Sequence, residues 1–318
     1  MRIRPYGSEY QLVAPNHTFA KSEVSIGVRR FKLTAEPVTQ ALSSNIQLKA
    51  WGYDGGTPGP VIVAFEGETV EIEIINRTTQ RTSVHWHGLI VPNDMDGVPE
   101  IGEGPYIDPG KSFTYRFTLL QSGTYMYHSH VNPLQELMGI VGMFVILPRT
   151  TPHVARDYVL MLQEWGIKKS GSSMSSMGTS SSMNMPAPTQ DVEPHVYEVD
   201  PQAMDYDYFT INGKVYPETC PLRCRYGETI RIRLGNLSMD SHPMHLHGHT
   251  FRVIAADGNS LPVPLFKDTM NVAPGETWDI EFEANNPGNW AFHCHKPHHI
   301  TDNHQPKLGG MFTYVKYV

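Results

Sequence analysis

The sequence predicts an all-β protein made of two copies of one β-sandwich unit. Three observations carry that expectation. Short runs of alternating or continuous apolar residues recur along the chain, 27 glycines and 25 prolines punctuate its 318 residues, and one half repeats the pattern of the other. No segment carries the periodicity of a long amphipathic helix.

Residues 1–28 read as an N-terminal arm. After it, Val61–Phe65 is a continuous apolar run, whereas Thr69–Ile75, Ser112–Phe117 and Thr229–Leu234 alternate as half-buried strands do. Short strands at regular spacing imply sandwiches or barrels. The repeat is explicit. Gly67-Glu68-Thr69-Val70-Glu71-Ile72, through Asn76 to His85-Trp86-His87, is echoed by Gly227-Glu228-Thr229-Ile230-Arg231-Ile232, through Asn236 to His245-Leu246-His247. Gly123-Thr124-Tyr125-Met126-Tyr127-His128-Ser129-His130 is echoed by Gly288-Asn289-Trp290-Ala291-Phe292-His293-Cys294-His295. The first copy closes near Pro148 and the second opens near Asp157, dividing the chain into 29–150 and 151–318. Within the second copy, residues 168–190 are rich in serine and carry Met174, Met177, Met183 and Met185. Such a composition cannot build a core and is expected to form a flexible exposed loop. Its thioethers are also soft donors suited to Cu(I).

Composition excludes some classes of function. The 25 basic and 32 acidic residues leave a net charge of −7, which argues against a nucleic-acid or anionic-membrane partner. No apolar run approaches the ~18 residues of a membrane helix. Residues 1–28 hold no apolar segment of signal-peptide type. Of the three cysteines, Cys220 and Cys224 would lie about 13 Å apart in an extended segment, beyond disulfide reach, unless a turn at Pro221 closes the gap. They are expected to be reduced or locally bridged, without a catalytic role.

The chemistry concentrates at Cys294, which stands between His293 and His295. In a strand the thiolate points one way and both imidazoles the other, so one segment touches two metal centres. A cysteine with two histidines and a weak thioether is an electron-transfer copper set, while clusters of imidazole alone suit copper that meets oxygen. A buried structural cysteine beside incidental histidines is the plain alternative. Against it stand His85-Trp86-His87, His128-Ser129-His130 and His242-Pro243-Met244-His245-Leu246-His247. With His293, His295 and His299 they place ten of the sixteen histidines in four short motifs.

In that order and spacing the chain resembles the multicopper oxidases, over roughly residues 30–318. The resemblance implies two cupredoxin-like Greek-key β-sandwich domains holding about four coppers per chain. It assigns His242, Cys294 and His299 to a type 1 copper, His85 and His245 to a type 2 copper, and His87, His128, His130, His247, His293 and His295 to a type 3 pair. Electrons would enter at the Cys294 sulfur and pass through the backbone to both flanking histidines. Asp96, in Asn93-Asp94-Met95-Asp96-Gly97, follows the first motif as a family carboxylate that orients water or delivers protons, or is simply a turn aspartate before Gly97. His298 reads equally as a proton relay or a surface residue.

Two departures from the family pattern are informative. Ser129 occupies the repeat position of Cys294, so the first domain should lack a type 1 copper, which argues against a copper nitrite reductase. Ten residues beyond Cys294, where an axial methionine is usual, stands His304. Met311, in Gly309-Gly310-Met311-Phe312, resembles the usual entry into the last strand displaced by seven residues, and is the favoured axial ligand over His304.

The resemblance is to the small two-domain laccases. These couple one-electron oxidation of phenols, aromatic amines or metal ions to reduction of O2 to water. The methionine tract suits instead a cuprous oxidase that detoxifies Cu(I). A non-catalytic copper-binding electron carrier is the third expectation, but it would not need the eight further histidines. Four cluster ligands come from each domain and the connection from Arg149 to Asp157 is short. Head-to-tail closure between chains is therefore expected, and the resemblance to the small laccases implies a homotrimer with clusters at its interfaces. The location expected is extracytoplasmic.

Overall fold

The computed structural model describes residues 1–7, 10–169 and 194–318. The methionine tract, from residue 170 onward, lies outside the described residues. Two β-sandwiches account for nearly all of the chain. In the first, a sheet of four strands (Gly59–Phe65, Val141–Leu147, Gly123–His128 and His85–His87) packs on a six-stranded sheet centred on Val28–Ala41. In the second, an eight-stranded sheet that includes Arg156–Trp165, Thr229–Asn236, Thr277–Glu283 and Phe251–Ala256 packs on five strands: Leu222–Cys224, Phe312–Tyr317, Asn289–Cys294, His242–Leu246 and Thr269–Val272. The longest helix among the described residues, Pro133–Leu137, is a single short turn capped by the Asn132 side chain. No helix among the described residues is long and apolar enough to cross a membrane.

Burial follows the two kinds of sequence pattern. Thr69–Asn76 alternates between half-buried and buried residues, as a strand with one wet face does. Val141–Leu147 is buried at every position. The reason is that the four-stranded sheet is covered on both faces. Phe144, Ile146, Tyr125 and Tyr127 face the core of the first unit. Met126, Met143, Val145 and Leu147 face Val159 and Met161 of the second unit and Leu12 near the N-terminus. A further apolar cluster joins the units through Val38, Leu48, Trp165, Ile167 and Tyr208.

The segments crossing between units depart from a linear division of the chain. Residues 1–28 are not a free arm. Gln11–Val13 pairs in parallel with Arg156–Tyr158 of the second unit, while Ser22–Ser25 pairs with the start of Val28–Ala41 in the first. In return, His195–Glu198 adds an edge strand to the first unit beside Ile46–Lys49. Each exchange covers a sheet edge whose backbone groups would otherwise lack partners. Cys220 is exposed and Cys224 buried, and both are free.

At the centre of the contact between units lies a buried charge network. Arg233 is 2% exposed and donates two bonds to Asp157, Nε to Oδ1 and Nη2 to Oδ2, both at 2.8 Å. Its Nη1 reaches Thr124 Oγ1 at 2.8 Å and Asp279 Oδ2 at 3.1 Å. Thr124, from the first unit, donates to Asp279 at 2.6 Å, and Tyr10 donates to Asp157 at 2.7 Å. Removing one partner of such a network strands the rest as unpaired buried charge. Arg233→Ala is therefore expected to cost about 3–5 kcal/mol of unfolding free energy. Chemical denaturation measures this, and a loss under about 1 kcal/mol would show that the network does not hold the units together.

Candidate metal centre

Three side chains from two strands and a turn converge inside the second sandwich. Along His242–Leu246 the burial alternates, so His242, Met244 and Leu246 face inward while His245 faces the other way. Met244 pairs with Cys294 and His245 with His293 in the neighbouring strand. The alternation therefore sends His242 and Cys294 to one site and His245 and His293 to another. The turn Pro297–Ile300 brings His299 back inside, where its ring stacks on Phe209 with centroids 3.8 Å apart. His242, Cys294 and His299 are all fully buried. Cys294 Sγ lies 3.5 Å from His299 Nδ1 and 4.0 Å from His242 Nδ1, and the two Nδ1 atoms are 3.0 Å apart.

The outer nitrogen of His242 settles that its inner one is free. Ser238 gives its hydroxyl hydrogen to Asn236, so its Oγ accepts from His242 Nε2–H at 2.9 Å. His299 Nε2 faces the Asp240 carboxylate at 3.3 Å. The His242 Nδ1 lone pair thus faces His299 Nδ1 and the sulfur, a convergence of donors that a cation between them resolves. Two ligands at ~2 Å from one metal stand about 3 Å apart. Burial lowers His242, and lowers His299 to about 3, so both imidazoles stay neutral as ligation requires. Burial pushes the Cys294 thiol up to about 12, whereas a coordinated thiol is deprotonated outright.

Met311 and His304 are placed very differently. Met311 is fully buried, its N–H donates to the His299 carbonyl at 2.8 Å, and its own carbonyl accepts from Cys294 N–H at 3.0 Å. The His304 side chain is 44% exposed and stands 4.0 Å from Asp207. His298 is exposed, its ring edge-on to that of His299.

Eight histidines form two half-sites of matching design. In the first unit, His87 Nδ1 faces His128 Nε2 at 3.3 Å, and the His130 ring lies 5.4 Å from that of His85. In the second unit, His247 Nε2 faces His293 Nε2 at 3.1 Å, and the His295 ring lies 5.4 Å from that of His245. Backbone carbonyls orient the rings the same way in both. His128 Nδ1 meets Ser129 O at 3.0 Å and His293 Nδ1 meets Cys294 O at 2.7 Å. His85 Nδ1 meets Asp96 O at 3.0 Å, with the Asp96 carboxylate at 3.3 Å. His245 Nδ1 meets Asp268 O at 2.9 Å and Thr269 Oγ1 at 2.9 Å. Burial lowers His87, His247 and His293, and lowers His128 to about 3, which keeps them neutral.

Asp268 escapes a reading of the repeat because it follows His245 by 23 positions while Asp96 follows His85 by 11. The hairpin Phe251–Lys267 separates it from its motif. Two further carboxylates have no motif signal at all. Glu136 stands 3.3 Å from His128 Nδ1, and Glu164 stands 3.8 Å from His242 Nε2; burial pushes each up to about 7.

Among the described residues the two half-sites share no candidate metal group within one chain: His85, His87 and His128 gather as one such group, and none joins histidines of both units. His130, His247 and His295 are exposed to solvent.

Multicopper oxidase family models match residues 34–151 and residues 188–304. Copper resistance protein A of Escherichia coli is 31% identical over 299 residues, covering 83% of this chain and 48% of that protein. Multicopper oxidase MmcO of Mycobacterium tuberculosis is 31% identical, covering 79% of this chain and 51% of that protein. The chain thus spans about half the length of these curated relatives. Among solved structures, the blue copper oxidase from Nitrosomonas europaea superposes with a TM-score of 0.76 at 31% identity, covering 91% of this chain and 85% of that one. The copper nitrite reductase from the same organism, at 20% identity and a TM-score of 0.69, shares the fold. Two cupredoxin sandwiches, the Cys294 set and the paired histidine motifs agree with these matches: the chain belongs to the multicopper oxidase family.

Proposed function

We propose that this protein is a laccase-like oxidase that takes single electrons from a small reductant at the Cys294 site and uses four of them, with four protons, to reduce O2 to two waters. The observation that carries this reading is the strand Asn289–Cys294 with His295 after it, which sets one thiolate in a closed site and its two neighbouring imidazoles in an open one. His242, Cys294 and His299, with the Met311 thioether as a further donor, would hold a type 1 copper. His85 and His245 would hold a type 2 copper. His87, His128, His130, His247, His293 and His295 would hold a type 3 pair. Bound copper supplies the one-electron chemistry and the oxygen binding, at about four ions per chain.

The chain itself contributes connection, orientation and protons. Cys294 is covalently joined to His293 and His295, and its carbonyl accepts from the His293 ring at 2.7 Å, a second link between the sites. Ser238, Asp96, Asp268 and Ser129 fix ring tautomers so that lone pairs face inward. Asp96, half-exposed beside His85, is placed to hold a proton or a water near the oxygen-reducing cluster.

The separation of the half-sites supports a cluster completed between chains, first unit of one against second unit of the next. Three chains closing head to tail give three complete clusters. An electron carrier would need only the Cys294 set and leaves the eight matched histidines unexplained. Oxidation of Cu(I) is favoured as a second reading by Met174, Met177, Met183 and Met185, which lie outside the described residues.

Three measurements test these statements. Cys294→Ser should abolish the blue thiolate-to-copper band and substrate oxidation while leaving the cluster copper bound; a blue variant would sink the site assignment. A chain with His85→Ala and His87→Ala, mixed and reassembled with one carrying His245→Ala and His247→Ala, should regain oxidase activity that neither has alone, because mixed interfaces pair intact halves. No regain would mean that the cluster is not shared between chains. Oxygen uptake with a phenol and with Cu(I) separates the donors: replacing the four tract methionines by serine should slow Cu(I) oxidation alone, and equal slowing of both would remove the cuprous reading.

A further inference from the structure

The Asn259–Lys267 strand is built unlike its neighbours. It forms the outer edge of the eight-stranded sheet and pairs with Phe251–Ala256. That partner alternates buried and half-buried residues, as a strand lying on a core does. Asn259–Lys267 is exposed at eight of its nine positions, on both faces. The pairing shifts register between Val253 and Ala255, which leaves residues 261–264 outside the ladder, while Gly258 at the hairpin turn packs against Gly123 and Tyr125 of the first unit. Three of the exposed residues are large and apolar: Val263 is 72% exposed, Leu265 55% and Phe266 72%. Apolar side chains of this size on both faces of an exposed edge strand mark a surface that another surface covers. Pro262 and Pro264, two residues apart, remove two N–H groups from one edge of the strand, so it cannot template a regular β-ladder. What covers it must therefore pack by side chains.

The position of the strand points to its partner. It runs directly into Asp268, whose carbonyl holds His245, so the apolar arm begins beside the open half-site of the second unit. The half-site of the first unit carries a matching apolar lip. Ile90, three residues after His87, is 65% exposed, Leu120 is 65% exposed and Ile101, five residues after Asp96, is 90% exposed. Gln121 fixes part of this lip, accepting from Ile90 N–H at 2.6 Å and donating to Gly88 O at 3.2 Å. Exposed Asp94, Glu100 and Glu103 border the lip, while Lys267 ends the arm. Apolar surface and opposite charge thus lie beside the two histidine half-sites, of which His130, His247 and His295 are exposed.

We propose that Asn259–Lys267 is a docking arm that seats Val263, Leu265 and Phe266 against Ile90, Ile101 and Leu120 of a second copy of this chain, and so brings the two histidine half-sites together. This rests on the reading that the oxygen-reducing cluster is completed between chains. The arm supplies the apolar contact that eight imidazoles around metal do not. It also excludes water from the rim of the cluster.

The test uses the full copper-loaded chain with Val263→Ser, Leu265→Ser and Phe266→Ser combined. All three positions are exposed, so the fold and the blue band per chain should persist. Association measured by sedimentation is expected to weaken by ~100-fold or more. Oxidase activity should fall with it, and return as protein concentration is raised. A triple variant that stays assembled and fully active would overturn the arm while leaving the shared cluster intact. A wild-type chain fully active as a single 35.8 kDa species would instead overturn the shared cluster itself. A photo-crosslinking residue in place of Phe266 gives a readout that does not depend on the triple variant. It is expected to join the arm to the peptide around Ile90–Ile101 of another chain, and capture of its own chain or of another chain's second unit would refute the proposal.

Discussion

The architecture turns on one buried guanidinium. Arg233 binds Asp157 bidentately, reaches Asp279 and Thr124, and shares Asp157 with Tyr10, so a strand of the first unit, three strands of the second and the N-terminal segment meet at a single charge. A charge without water must keep all its partners, because each one lost leaves another unpaired in a medium that cannot solvate it. Around it, the four-stranded sheet of the first unit is covered by apolar residues on both faces. The two sandwiches are thus held as one body with their histidine half-sites apart.

A second constraint is the two-residue period of a strand. Asn289–Cys294 lies between His242–Leu246 and Phe312–Tyr317, and its alternation sends Cys294 into the sandwich and His293 out of it. The same parity operates in His242–Leu246, where His242 and His245 are an odd number of positions apart and therefore face opposite ways. Two sites a few residues apart in sequence are thereby separated by the thickness of a sheet yet joined through backbone. In five of the histidines, His242, His85, His128, His245 and His293, a second contact with Ser238, Asp96, Ser129, Asp268 or the Cys294 carbonyl fixes the tautomer, as a metal ligand requires. Ligands already oriented lose little freedom on binding.

The repeat accounts for how similar the half-sites are and where they diverge. His128 and His293 use the carbonyl of the following residue in the same way, although that residue is Ser129 in one unit and Cys294 in the other. A carbonyl does not depend on its side chain, so the exchange of serine for cysteine leaves the outer site intact while the inner site belongs to the second unit. The hairpin Phe251–Lys267 lengthens the path from His245 to its orienting carbonyl without changing the contact.

What the sequence alone determined is what depends on near neighbours. Strand period and turn residues specified an all-β fold, the repeat specified two units, and the four histidine motifs with Cys294 named the residues that gather in three places. Tertiary structure decided whatever depends on distant segments meeting. Met311 rather than His304 is tied to Cys294 and His299, because the turn after His299 carries His304 outward to solvent. Asp268, Glu136 and Glu164 approach the histidines from segments with no fixed spacing to the motifs. The N-terminal residues join the second unit because its sheet edge needs a partner, a demand that no local pattern records. The half-sites stay apart for the same reason: a motif specifies which atoms can bind a metal, and only the packing of one sheet against another specifies which of them share it.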